Sequence, residues 1–239
     1  MGKRLSLLAV LTVAMAALAF GACGGDDDAP EATPTPAGVK GTATPESELG
    51  KKINETLVPE ESAEGKRLGP ADAKVTILAY EDFGCPHCLD FTATIEPVIL
   101  EEYVATGEVS FEYKYFPLRQ LTGGAAIAAQ CAAEQDKFWP YHRSLFIAQA
   151  EANAKVGPPL SEAFAVDNLK KIAADVGMDA ATLDACIAGE TALGVVQADL
   201  REANELALPG TPSFVINSKV TPAPASADGW RELLDDLLD

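Results

Sequence analysis

The chain has 239 residues, with 18 basic side chains against 36 acidic ones and a formal charge of −18 at neutral pH. So acidic a surface argues against nucleic acid as a partner and against electrostatic attraction to anionic lipid. It favours solubility and leaves the fold open.

Lys3 and Arg4 precede an apolar run, residues 5–20, and then Gly21-Ala22-Cys23. A basic start, a short apolar stretch and small residues before a cut form an export signal. The run is short for a membrane span, which weakens an uncleaved anchor. Ala22-Cys23 resembles the end of a bacterial lipoprotein signal over residues 1–22, with Cys23 the lipidated first residue, although Phe20 stands where leucine is usual. An ordinary secretory peptide with a spare cysteine is the alternative. From 23 to 65, Pro30, Pro34, Pro36 and Pro45 stand among Ala, Thr, Gly and acidic residues. No apolar period survives there, which predicts a disordered tether spanning about 35 Å for roughly 40 residues. Residues 47–57 carry only a weak helical pattern. The stretch 66–239 has the size of one domain with one core.

Val75 to Tyr80 is a short apolar run suited to a buried strand. Cys85-Pro86-His87-Cys88 follows. Next come Phe91, Ile95, Val98, Ile99 and Tyr103 at helical spacing, predicting one helix from about 86 to 105, kinked at Pro97. Val109 to Phe116 alternates like a strand, so the unit is strand–helix–strand with a parallel pair. The middle of the chain is helical: 124–135, 138–150, 167–176, a helix capped by Asp179, and one carrying Leu193, Val196, Leu200 and Ala203. After Pro209-Gly210-Thr211-Pro212, residues 213–217 and 219–221 read as an antiparallel strand pair. Trp230, Leu233, Leu234, Leu237 and Leu238 stripe a closing helix.

Two cysteines three apart at a strand-to-helix junction of an exported chain read as a redox-active dithiol. The first sulfur meets the unpaired N–H groups of a helix start, where partial positive charge favours thiolate. A protonated His87 adds to that influence. Stabilising the dithiol makes the disulfide an oxidant. An inert bridge is the bland alternative, but so small a loop adds little stability. Zinc finds no second Cys/His pair near Cys85, His87 and Cys88, so no metal or cofactor is expected. His142 is expected to be packed or at the surface, with Phe138, Trp139 and Tyr141 as core aromatics.

The chain resembles the DsbA-like thioredoxin family of exported bacterial proteins. The resemblance is carried by residues 82–88, Tyr115-Phe116-Pro117-Leu118, 131–141 and 210–217, and covers 66–239. It implies an α/β thioredoxin fold, a mixed sheet flanked by helices, with a helical insertion at about 119–190. It implies that Cys85 is the exposed nucleophile, Cys88 the resolving sulfur, and Pro86 and His87 the tuning residues. Thr211-Pro212 is similar to the cis-proline element that faces the dithiol and pairs with an extended client; a trans turn proline is the alternative. Members of the family carry a second, structural disulfide in this block, which implies Cys131–Cys186; two unpaired buried thiols remain possible on the residues alone. Relatives usually place a buried acid six residues before the first cysteine. Here that residue is Ala79, and neither Glu81 nor Asp82 is assigned the role.

The function so implied is an extracytoplasmic oxidase, held to the membrane by lipid on Cys23, that donates its disulfide to reduced exported proteins. A DsbB-like or vitamin-K-epoxide-reductase-like membrane oxidase would recycle it. No dimerisation region is visible, so a monomer is expected. A reductase or isomerase of the same fold, or a binding lipoprotein without turnover, are the alternatives.

Overall fold

Strand β3 (Val75–Glu81) is the centre of the molecule, because five of its seven residues are buried. The structure is a computed structural model that describes residues 45–239. The expected signal at 1–22, Cys23 and the tether as far as 44 lie outside the described residues. β3 pairs in parallel with β4 (Val109–Tyr115), from Val75 opposite Val109 to Glu81 opposite Tyr115. On its other edge it runs antiparallel to β5 (Ser213–Ile216), which pairs with β6 (Lys219–Thr221). Two short strands, β1 (Ala63–Glu64) and β2 (Arg67–Leu68), complete the order β1-β2-β4-β3-β5-β6. This is the mixed sheet that the resemblance implies.

Between β3 and β4 the chain crosses over through α2 (Pro86–Thr94) and α3 (Glu96–Val98), which continues as a π-helical turn over Ile99–Val104. The expected single helix is therefore broken rather than kinked. Pro97 has no N–H for the carbonyl of Ala93, and Ile95 takes up the break at φ −117°. Between β4 and β5 lie α4 (Gly123–Ala133), α5 (Phe138–Ala154), α6 (Leu160–Ala163), α7 (Val166–Asp175), α8 (Ala180–Ala188) and α9 (Thr191–Glu205). Asp179 caps α8, accepting from the Thr182 N–H at 2.8 Å. The closing helix α10 (Ala227–Leu238) buries Trp230 against Phe91 and Phe214, with ring centroids 6.0 and 4.8 Å apart. A disulfide joins Cys131 of α4 to Cys186 of α8.

Residues 45–65, expected as part of the tether, are structured. Residues 48–55 form a helix, α1 (Glu48–Glu55), which buries Ile53 in the core. Its start is held from far along the chain: Glu151 of α5 accepts from the Ser47 hydroxyl at 2.7 Å and the Ser47 N–H at 2.8 Å. Local propensity is weak, and this long-range carboxylate supplies what the local sequence lacks.

Asp199 of α9 binds the Lys66 ammonium at 2.6 Å and the Lys114 ammonium at 2.8 Å, and accepts from the Tyr115 N–H at 3.1 Å. α9 is thereby pinned to β4. His142 lies buried among Phe83, Tyr113, Phe138, Trp139 and Phe146; burial lowers its pKa to about 3, so the ring is neutral.

Candidate active site

The dithiol loop is built by one buried carboxylate. Asp82 accepts from the Gly84 N–H at 2.9 Å and, with its other oxygen, from the Leu118 N–H at 2.9 Å, while its carbonyl accepts from the Cys85 N–H at 2.9 Å. The loop after β3 is thus fixed to the loop after β4. Gly84 fits because a Cβ there would stand 2.5 Å from the Thr122 side chain. The chain then enters α2 with Cys85 as its N-cap and Pro86 in the first turn, where a missing N–H costs nothing.

Cys85 and Cys88 are both free thiols, the first half-buried and the second buried. The Cys85 sulfur lies 3.2 Å from the carbonyl oxygen of Thr211, whose bond to Pro212 is cis. Thr211, Pro212 and the dithiol are therefore together, although 126 residues separate Thr211 from Cys85. The Cys88 thiol is the strongest influence holding Cys85 as thiolate. The Thr211 side chain and the backbone N–H groups of Cys88 and His87 add to it, against the cost of burial, and the Cys85 pKa falls to about 5. A free thiol titrates near 8.5, so this sulfur is ionised at neutral pH. His87 acts through its N–H; its imidazole is exposed to solvent.

Alkylation of the reduced protein should follow that ionisation, with half-maximal rate near pH 5. Thr211→Val removes a hydroxyl from the thiolate and should raise the midpoint by about one pH unit, since such hydrogen bonds to charge contribute about 1.5 kcal/mol or more. A wild-type profile bending near pH 8.5 would remove the thiolate from the account.

Cys88 behaves oppositely. Burial pushes its pKa well up, and the Cys85 sulfur and the Glu81 carboxylate push the same way. Glu81 is 1% exposed, and neither of its oxygens has a hydrogen-bond partner among the described residues. Burial raises its pKa, with Glu96 and Cys85 adding to the rise, so it is a neutral acid beside Cys88. Glu81, declined on the sequence, is thus the buried acid under the dithiol. Ala79 and Glu81 point to the same face of β3, so the carboxyl has moved two residues along the strand. Alternation along the strand was the signal for it.

The Cys131–Cys186 bridge spans a Cα–Cα distance of 5.8 Å between α4 and α8, apart from the dithiol. Cys23 lies outside the described residues. No group of three or more His, Cys, Asp or Glu side chains suited to a metal ion occurs among the described residues.

A family model described as Thioredoxin matches residues 61–236. Disulfide bond formation protein D of Bacillus subtilis is 27% identical over 174 residues, which are 70% of this chain and 74% of that protein. An Na(+)/H(+) antiporter, NhaA 3 of Salinispora tropica, is 28% identical over 170 residues, but the chain spans only 24% of its length. Among solved structures, oxidised BdbD from Bacillus subtilis has a TM-score of 0.62 at 25% identity, covering 72% of this chain and 92% of that one. Wolbachia pipientis alpha-DsbA1 shares the fold, with a TM-score of 0.62 at 24% identity, covering 78% of this chain and 96% of that one. With the strand order, the dithiol at a helix start and a family match across more than half of the sequence, the chain belongs to the thioredoxin family, on its DsbA-like side.

Proposed function

We propose that the protein is an extracytoplasmic thiol–disulfide oxidoreductase that works as an oxidase of exported proteins. One observation carries the reading: an accessible sulfur with a pKa of about 5 beside the cis Thr211–Pro212 bond, three residues from a buried sulfur held as a thiol. When the pair is a disulfide, a client thiolate attacks Cys85 and the Cys85–Cys88 bond breaks. Cys88 leaves as a thiolate and takes a proton from Glu81. A second client thiolate attacks the client sulfur of the mixed disulfide, and Cys85 leaves as the stabilised thiolate. The client is oxidised by two electrons and the enzyme is reduced by two. Stabilisation of the leaving Cys85 is what drives the transfer toward the client.

Leu118 and Leu121, 54% and 39% exposed, flank the loop that Asp82 and Thr122 hold, and offer apolar contact to an unfolded client. The Thr211 carbonyl offers main-chain pairing. The lipid on Cys23, a membrane oxidase as recycling partner and a monomeric state belong to the same proposal; the signal-like N-terminus supports the lipid. A binding protein without turnover would fit a dithiol that lacked its buried acid, and Glu81 supplies one.

The direction of transfer is tested by equilibrium with glutathione. DsbA at about −120 mV and thioredoxin at about −270 mV bracket the two directions, and a potential nearer the former is expected. A value at or below thioredoxin's would make the protein a reductase.

A further inference from the structure

Cys88 and Thr92 stand one turn apart on α2, and Glu96, the first residue of α3 past the break at Ile95, meets Thr92 at a common cavity. All three are buried, as is Glu81 on the facing strand. Polar atoms are left over along this line. Both Glu81 oxygens, the Thr92 hydroxyl, one Glu96 oxygen and Nε2 of His142 lack a partner among the described residues. A structural role would have paired them, because an orphaned buried polar atom is costly. Glu96, Thr92, His142 and Arg143 line a cavity with about 10 Å³ for a water centre, room for a single molecule. Its roof is the segment from Ile53 to Val58, at the end of α1.

Resting on the oxidoreductase reading above, we propose that Glu81 and Glu96 form a relay that carries the Cys88 proton away from the reacting sulfurs to this water-sized cavity beneath α1. Glu81 touches the reacting thiol; Glu96 acts through Glu81. During recycling, a disulfide reagent first reacts with the Cys85 thiolate and leaves a mixed disulfide. Glu81, the neutral acid of the dithiol state, gives its proton to Glu96 as Glu96 gives its own to a water in the cavity, and so to bulk. The Cys88 S–H bond then breaks and its proton passes to the Glu81 carboxylate so formed. The Cys88 thiolate attacks the Cys85 sulfur, closing the disulfide and expelling the reagent's thiolate, and Glu81 ends as a neutral acid again. In the oxidising half-reaction the same path runs inward.

The charged groups around the line agree with this direction. Glu81 faces Cys85, Cys88, Glu96 and Tyr113. Burial raises the Glu96 pKa, opposed most by Arg143 of α5. The neighbouring His142 is neutral throughout the working range and offers no rival charge. Lys52, Glu55 and Glu101 stand at the adjoining surface cleft, which shares Thr56 with the cavity.

Dithiobis(nitrobenzoic acid) separates the steps, because its coloured thiolate stays ionised and only the Cys88 proton is released on closing. Reduced protein is mixed with it in weak buffer with a pH indicator. In wild type, the proton should reach bulk in step with the second coloured thiolate. In Glu96→Gln, closing should still occur, while proton release lags by roughly tenfold. The acid limb of the closing rate should also move to lower pH, because a charge that raised Glu81 is gone. Asp90→Asn, exposed on α2, should change neither readout. Proton release that still tracks closing in Glu96→Gln, with an unmoved acid limb, overturns the relay and leaves the oxidoreductase intact. Failure of wild type to release a second thiolate sinks both. Should Glu96→Gln not fold, infrared difference spectra of wild type decide: two buried carboxyl bands should change between dithiol and disulfide, and a change in one alone overturns the relay.

Discussion

Cys85→Ser should reduce oxidative refolding of a client to the background set by the buffer, whereas in Cys88→Ser the Cys85 thiolate first exchanges with the buffer's glutathione disulfide, a client thiolate then displaces glutathione from Cys85, and client joined to Cys85 should accumulate. The asymmetry follows from the burial of the two sulfurs. Only the Cys85 sulfur is accessible to a client, and only it is ionised at neutral pH. Cys88, buried and held as a thiol, meets no client and serves to expel or release one. The stalled species is read on a non-reducing gel or by intact mass. Cys88→Ala adds a second measure. It deletes the largest stabiliser of the Cys85 thiolate, so the alkylation midpoint should rise well above pH 5. Equal loss in both serine variants, without a trapped client, would contradict the division of labour.

Replacing Cys131 and Cys186 together by alanine should cost about 4 kcal/mol of stability, as the chain-entropy relation gives for a loop of 55 residues. For a domain of this size that is a fall in Tm of roughly 10 °C. Cys131 is wholly buried, so the double variant also leaves a small gap in α4 packing. The dithiol should keep its chemistry, since neither residue acts on Cys85. Calorimetry of the oxidised proteins, alongside the pH profile of Cys85 alkylation, separates the two effects. An alkylation midpoint that moves with the double variant would join the bridge to the site.

Much of this arrangement is legible in local patterns. The apolar run of β3, the period of β4 and the stripe of α10 each follow from residues within one element. Cys85 and Pro86 identify a helix start for the same reason. What escapes the sequence is settled at a distance. α1 is weak by itself and is held by Glu151, about a hundred residues away. β1 and β2 have two residues each, too few for any periodicity, and exist because β4 offers an edge. Glu81 escapes for a different reason: the spacing of the relatives points to Ala79, while period two along the strand points equally to Glu81 on the same face. Glu96 reads as one more charge on a helix until α1 covers it.

Asp199 makes the helical block and the sheet move as one piece. Breaking a buried ion pair of this kind by removing one partner costs about 3–5 kcal/mol, so swinging α9 away from Lys66 and Lys114 is a rare event. β4 runs on to Leu118, which Asp82 ties to the dithiol loop, so the frame around the sulfur is held at one spacing. Adaptation falls to the incoming polypeptide, and a cysteine in a slack, unfinished stretch of chain will reach Cys85 far more readily than one already locked into a finished domain.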